Sequence, residues 1–268
     1  MADTEKWFLS AFKAGYRHVD TAYAYGKPIL IGLNTHESQS WHHPKYVQRS
    51  FEESLSRLDL GYVDLYLLHF PQTVEYPNLG GYEAPATFRE MVTELKIDET
   101  HTFNETWADF ERLHASGKAR AIGVSNFSIK TLEQLLKTAK IVPAVNQIEM
   151  HPYLVQTELL EYCREKGIVV IAYSPTGKDK VRNDPTISEL SKKHKVTPTQ
   201  IILAWHLARG VVAVPKSTNS ERQKENITLP TLSAEDVARV TALDRNERIG
   251  QFGPDGKLAG WTKEQYGW

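Results

Sequence analysis

Short apolar runs rich in Val, Ile and Tyr alternate with longer amphipathic stretches along this chain, and that alternation narrows the possible folds more than any other feature. Runs of strand length occupy 18–22, 29–33, 63–70, 121–126, 144–150, 169–174 and 211–215. Between them lie segments with helical period. Segment 46–58 puts Val47, Phe51, Leu55 and Leu58 on one face, and 104–115, 129–138, 157–166 and 187–194 behave alike. Segment 197–208 is a further helix, with Pro198 suited to a first turn. Strand then helix, repeated about seven times, predicts a parallel sheet with helical crossovers. Seven or eight such units in about 250 residues fit a closed (β/α)8 TIM barrel better than an open sheet. Gly-rich dinucleotide fingerprints do not follow any of the strands, which counts against a doubly wound sheet.

The 268 residues are therefore expected to form one α/β barrel domain, with a C-terminal arm from about residue 248. Polar residues gather at the predicted strand ends: Asp20, His69, Ser125, Asn126, Gln147, Ser174 and Lys216. Barrels build active sites at the C-terminal ends of their strands, so this placement points to an enzyme. Segment 71–100 reads as a long loop over one barrel mouth. The arm carries several glycines with Trp261 and Trp268, and reads as an extended tail with aromatic anchors.

Charge excludes some functions. With 32 basic and 33 acidic side chains the formal net charge is -1, which gives no general attraction to nucleic acid or an anionic membrane. Apolar runs stay short of bilayer length, and residues 1–10 contain no signal-like apolar stretch. One cysteine, Cys163, cannot form an intramolecular disulfide. A cytoplasmic protein is expected.

Five ordered motifs are specific enough to carry a resemblance. Gly15-Tyr-Arg-His-Val-Asp20-Thr-Ala-Tyr-Ala-Tyr25-Gly26 resembles the first signature of the aldo-keto reductase family. Val63-Asp-Leu-Tyr-Leu-Leu-His69-Phe-Pro71 resembles its histidine-bearing strand. Gly123-Val-Ser125-Asn126-Phe127 and Asn146-Gln147-Ile-Glu-Met-His151-Pro152 resemble its cofactor-floor strands. Val214-Pro215-Lys216-Ser217, continuing to Arg222, Glu225 and Asn226, resembles its nucleotide-binding segment. Within the family, Tyr76-Pro-Asn-Leu-Gly-Gly-Tyr82 and the closing Gly-Trp resemble fungal sugar and polyol reductases.

The resemblance implies a (β/α)8 barrel and reversible NADP(H)-dependent reduction of an aldehyde or ketone. Such chemistry needs a hydride donor against the carbonyl carbon and a proton donor on the oxygen, where negative charge develops. Tyr25 matches the proton-donor tyrosine, His69 the carbonyl-orienting histidine and Asp20 the aspartate of the activating network. Taken singly, Tyr25 reads as a loop aromatic, His69 as a core histidine and Asp20 as a turn or cap residue; the joint pattern makes them functional. Ser125, Asn126 and Gln147 match groups that hydrogen-bond the nicotinamide carboxamide, and Tyr173 matches the ring that stacks on it. Ser174 and Thr176 match positions near the pyrophosphate. Lys216, Ser217 and Arg222 form a cationic and hydroxyl cluster suited to an adenosine 2′-phosphate, with Glu225 and Asn226 around the adenine. The expected partner is a small-molecule carbonyl substrate.

Two departures from the family pattern stand out. Its first barrel strand, with a Gly-x-Gly-Thr-like end, has no counterpart, so the barrel is expected to be incomplete at the N-terminus, the chain starting in the following helix at about 3–14. Its catalytic lysine also has no counterpart, since no lysine lies between Lys27 and Lys45. A free tyrosine titrates near pH ~10 and needs a cation to exchange protons near neutrality, so slow or absent turnover is expected. The alternative function is a catalytically impaired, NADPH-binding barrel with a non-enzymatic or regulatory role. His36, His42 and His43 form a histidine group without a carboxylate at ligand spacing, and no metal site is expected.

Overall fold

The computed structural model describes residues 2–22, 34–36, 44–73, 97–250, 252, 255–258 and 260–268. Chain contacts divide it into two compact units. One comprises Met1–Arg17, Gln147–Glu165 and Val169–Gly250, the other His18–Asn146, Lys166–Ile168 and Gln251–Trp268.

The second unit opens with β1 (Asp20–Ala22) and β2 (Asn34–His36), continues through α2 (Pro44–Leu58), β3 (Val63–Leu68), α3 (Phe103–Ala115), β4 (Ala119–Ser125) and α4 (Ile129–Leu136), and enters β5 (Val145–Glu149). β1 pairs with β2, β2 with β3 and β3 with β4, all in parallel. Val63, Leu65, Tyr66, Leu67 and Leu68 of β3 are buried, as expected for a parallel strand covered on both faces. Gly123 of β4 is required by close approach: a Cβ there would lie 2.6 Å from Val145 Cγ2 and 2.8 Å from Leu67 Cδ2. Aromatic rings join sheet and helices. Phe51 meets Tyr66 edge-on at 4.8 Å, and Tyr66 stacks on Phe110 at 4.9 Å. Thr102 and Glu105 form a capping box that starts α3, and Ser128 with Thr131 does the same for α4.

The first unit contains α1 (Ala2–Ala14), the end of β5, α5 (Thr157–Glu165), β6 (Val169–Tyr173), α6 (Lys178–Arg182), α7 (Pro185–His194), α8 (Pro198–Ala208), β7 (Val212–Ala213), α9 (Ser220–Ile227) and α10 (Ala234–Thr241). β6 and β7 pair in parallel. Its core gathers Val181, Ile187, Leu190, Ile201, Ile202, Trp205 and Val240. Thr197, Pro198 and Gln200 start α8 as a capping box with proline in the first turn. Asp236 is buried but receives Lys193 Nζ at 2.7 Å and His194 Nε2 at 2.8 Å. The Lys193 bond, foremost among these contacts, outweighs burial and holds its carboxyl at about 2.

Predicted strands 63–70, 121–126, 144–150, 169–174 and 211–215 and the six predicted helices all have counterparts here, with ends shifted by a few residues. Predicted strand 29–33 and most of the predicted loop 71–100 lie outside the described residues. The arm differs from the extended tail expected. Its described part forms a two-stranded antiparallel hairpin, β8 (Lys257–Leu258) with β9 (Trp261–Thr262), followed by the single turn α11 (Lys263–Tyr266). Thr262 and Gln265 cap that turn reciprocally, which is how so short a helix ends its backbone bonds.

Candidate active site

His69 immediately follows β3 and is half-buried, its ring 4.8 Å from that of Phe70. Ser125 ends β4, and Asn126 follows it in the left-handed region at φ 66, which asparagine tolerates better than most residues. Both side chains are buried. Asn126 Nδ2 donates to the His69 carbonyl at 2.9 Å and reaches Ser125 Oγ at 3.2 Å. Asn146 pins the same turn with a reciprocal pair: its Nδ2 donates to the Phe127 carbonyl at 2.8 Å, and its Oδ1 accepts from the Phe127 N–H at 3.4 Å. Thus two predicted groups, the histidine-bearing strand end and the Ser125–Asn126 pair, are brought into direct contact.

Asp20 is the first residue of β1, not its C-terminal end as the strand-end pattern implied. The strand begins two residues later than the apolar run 18–22 and ends at the same residue, Ala22. Nearby, burial holds the His18 imidazolium below its ordinary range, while the charge of Asp20 works the other way. Tyr25 lies outside the described residues, as do His42 and His43. Gln147 sits inside β5, buried, and not at a strand end. Among the described residues no group of three or more His, Cys, Asp or Glu side chains is placed to hold a metal ion.

The other unit carries the remaining predicted residues. Tyr173 ends β6 and is half-buried. Ser174 follows at φ 48, and its carbonyl accepts from the Gly177 N–H at 3.0 Å, closing a tight turn. Arg182 Nη1 donates to Thr176 Oγ1 at 3.1 Å within that turn. His206 fastens the turn from below, its Nε2 donating to the Pro175 carbonyl at 3.0 Å.

Lys216 and Ser217 lead from β7 into α9. Asn219 caps α9 by accepting from the Arg222 N–H at 3.0 Å, and its own N–H donates to Ser217 Oγ at 3.2 Å. Lys216 and Arg222 are exposed beside this helix start. Ser217 Oγ and the Arg222 N–H thus both meet Asn219 at the start of this helix. Glu225 and Asn226 lie further along α9. Asn226 is buried and hydrogen-bonds Tyr16, whose hydroxyl donates to the Gln223 carbonyl at 3.2 Å. Burial raises the Tyr16 hydroxyl above its ordinary range, and the Asn226 bond partly offsets this. Asn226 thus supports the packing of the α1 end on α9, a role sequence reading did not assign.

Asn146, Asn219 and Arg182 also went unassigned. Asn146 stood inside a quoted motif, and Asn219 before an acidic first turn is a readable cap signal. Arg182 had no local signal, because its partner is six residues away across a turn.

A histidine at the end of β3 is thus tied to the Ser125–Asn126 turn at the end of the parallel strand β4. The description "Aldo/keto reductase family" matches residues 29–245, and the chain belongs to that family. Relatives include a "Glycerol 2-dehydrogenase (NADP(+))" of Saccharomyces cerevisiae, 37% identical over 91% of this chain and 84% of that protein. A "Glyoxal reductase" of Bacillus subtilis is 36% identical over 90% of this chain and 83% of its own length. The solved structure of the aldose reductase from Schistosoma japonicum superposes with a TM-score of 0.82 at 29% identity, covering 92% of this chain and 86% of that one. The fold class is thereby α/β of the TIM-barrel type, as the sequence led us to expect.

Proposed function

We propose that this chain is an NADP(H)-dependent oxidoreductase reducing aldehydes or ketones, of the sugar or polyol type, to alcohols. The observation that carries the reading is the Asn126 Nδ2 bond to the His69 carbonyl, which ties a carboxamide-binding amide to the strand end presenting an imidazole. The yeast relative named for glycerol and NADP supports both the polyol and the cofactor assignments.

The donor set fits the cofactor. Lys216, Ser217 and Arg222 at the start of α9 would hold a 2′-phosphate, and Ser174 and Thr176 would face the pyrophosphate. Ser125, Asn126 and Gln147 would orient the carboxamide, with Tyr173 against the ring. When bound, the reduced nicotinamide supplies a hydride. His69 would donate a hydrogen bond to the substrate oxygen, polarising it and excluding water from that side. Tyr25 would give the proton to the oxygen as negative charge develops there. Asp20 would remain from the network that activates the tyrosine in the family.

The missing lysine favours a second reading, a chain that binds NADPH and has a non-enzymatic or regulatory role. Carbonyl-dependent oxidation separates the two. Cofactor titration tests what they share: NADPH is expected to bind at least tenfold tighter than NADH, and Lys216→Ala with Arg222→Ala to remove most of that preference, since charge-assisted bonds contribute about 1.5–3 kcal/mol. Equal binding of both nucleotides, or none, would count against the assignment. The protein is expected to be cytoplasmic; among the described residues no helix is long and apolar enough to cross a membrane.

A further inference from the structure

Tyr266, the buried last residue of α11, bonds the segments that follow His69 and Asn126. Its hydroxyl accepts from Gln72 Nε2 at 2.6 Å and donates to the Leu258 carbonyl at 3.0 Å. Its own carbonyl accepts from Ser128 Oγ at 2.6 Å. Gln72 lies just beyond His69 in the chain, and Ser128 just beyond Asn126. The direct Asn126–His69 bond at 2.9 Å then closes a ring that runs from Tyr266 through Gln72, His69, Asn126 and Ser128 back to Tyr266.

Packing holds this ring in place. Tyr266 stacks on Trp268 at 4.1 Å with the planes 8° apart, and meets Trp261 edge-on at 5.4 Å. Phe70, next to His69, lies in the same apolar cluster with Leu258. Gly267 ends the turn at φ 80, and a Cβ there would stand 2.9 Å from Ser128 Oγ. Only glycine therefore lets the arm approach the start of α4 so closely.

We propose that Tyr266 is a positioning residue. By holding Gln72 and Ser128 together it fixes the separation of His69 from Asn126, and with it the placement of the substrate carbonyl against the nicotinamide carboxamide. This rests on the roles given above to His69 and Asn126. Small displacements of reacting groups are costly, so a clamp remote from the chemistry matters.

The test uses Tyr266→Phe, which keeps the ring and its backbone carbonyl and removes only the hydroxyl. Affinities for NADPH and for 2′-phospho-ADP-ribose, which lacks nicotinamide, are measured by calorimetry, and the His69 ring resonances by NMR. NADPH should weaken roughly tenfold, the fragment should be unchanged and the His69 resonances should shift, as expected for loss of one buried hydrogen bond. Gln72→Met should reproduce this, and the double variant should be no worse than either single one. A control in the other unit, Thr241→Val, removes the 2.9 Å bond from Trp205 Nε1 and should lower the melting temperature without altering the NADPH-to-fragment ratio. Equal weakening of NADPH and fragment, additive single effects, or an unmoved His69 would overturn the proposal. Should the unaltered chain fail to bind NADPH, the assignment of the site falls, and the His69 resonances in Tyr266→Phe still decide whether Tyr266 positions that ring.

Discussion

His206 is a fully buried imidazole that donates through Nε2 to the Pro175 carbonyl, and burial holds its pKa down to about 3. Its folded value lies below the unfolded one of about 6.5, so the neutral form stabilises the fold fully above pH ~6.5. That contribution is lost as pH falls from about 6.5 toward about 3, at up to about 1.4 kcal/mol per unit. We expect acid unfolding curves to steepen in this window, and His206→Gln, which retains a donor for Pro175, to flatten them. Chemical denaturation at stepped pH checks this; an unchanged slope in His206→Gln would assign the acid sensitivity elsewhere. Gly123 offers a second residue-level test. Gly123→Ala drives a methyl to 2.9 Å from the Val145 carbonyl, which has little room to move, and is expected to cost about 2–3 kcal/mol in urea unfolding. Sequence reading singled out His69, Ser125 and Asn126 because strand ends are polar where the strands are not. It missed Asn146, which holds the turn after Asn126, and His206, which holds the turn at Pro175, because a hydrogen bond between distant segments leaves no local pattern.

Among elements, the buried parallel strands were legible because a strand covered on both faces must be a short continuous apolar run. Helices with a single buried face were legible for the same reason at a different period. α9 was not, since Ser220–Ile227 is almost wholly polar and its burial rests on Gln223 and Asn226. Ser10 Oγ donates to Gln223 Oε1 at 2.5 Å and Gln223 Nε2 donates to the Trp7 carbonyl at 3.1 Å, so α1 holds α9 by hydrogen bonds where apolar packing would leave a readable stripe. α10 was missed although Ser233 and two acids in the first turn mark its start. The cap of α9 gives an element-level prediction. Asn219→Ala removes the acceptor for the Arg222 N–H, should cost about 1 kcal/mol of stability, and should weaken NADPH binding more than NADH binding by loosening the helix start. Thermal melts and paired cofactor titrations read both effects; an equal loss for the two nucleotides would detach the helix start from 2′-phosphate recognition.

For the whole molecule, the sequence motifs, the parallel strands within each unit and the family relationship agree on an α/β barrel reductase. The central claim is chemical: with no lysine between Lys27 and Lys45, the proposed donor Tyr25 is expected to give up its proton slowly. The decisive measurement is oxidation of NADPH by the purified, folded chain with an excess of a reactive aromatic aldehyde, followed by absorbance in parallel with Tyr25→Phe and His69→Ala. The account predicts slow oxidation that requires the aldehyde, is abolished in Tyr25→Phe and falls by about 10²-fold or more without the His69 donor. Oxidation that persists unchanged in Tyr25→Phe, or NADPH that neither binds nor reacts, would contradict it.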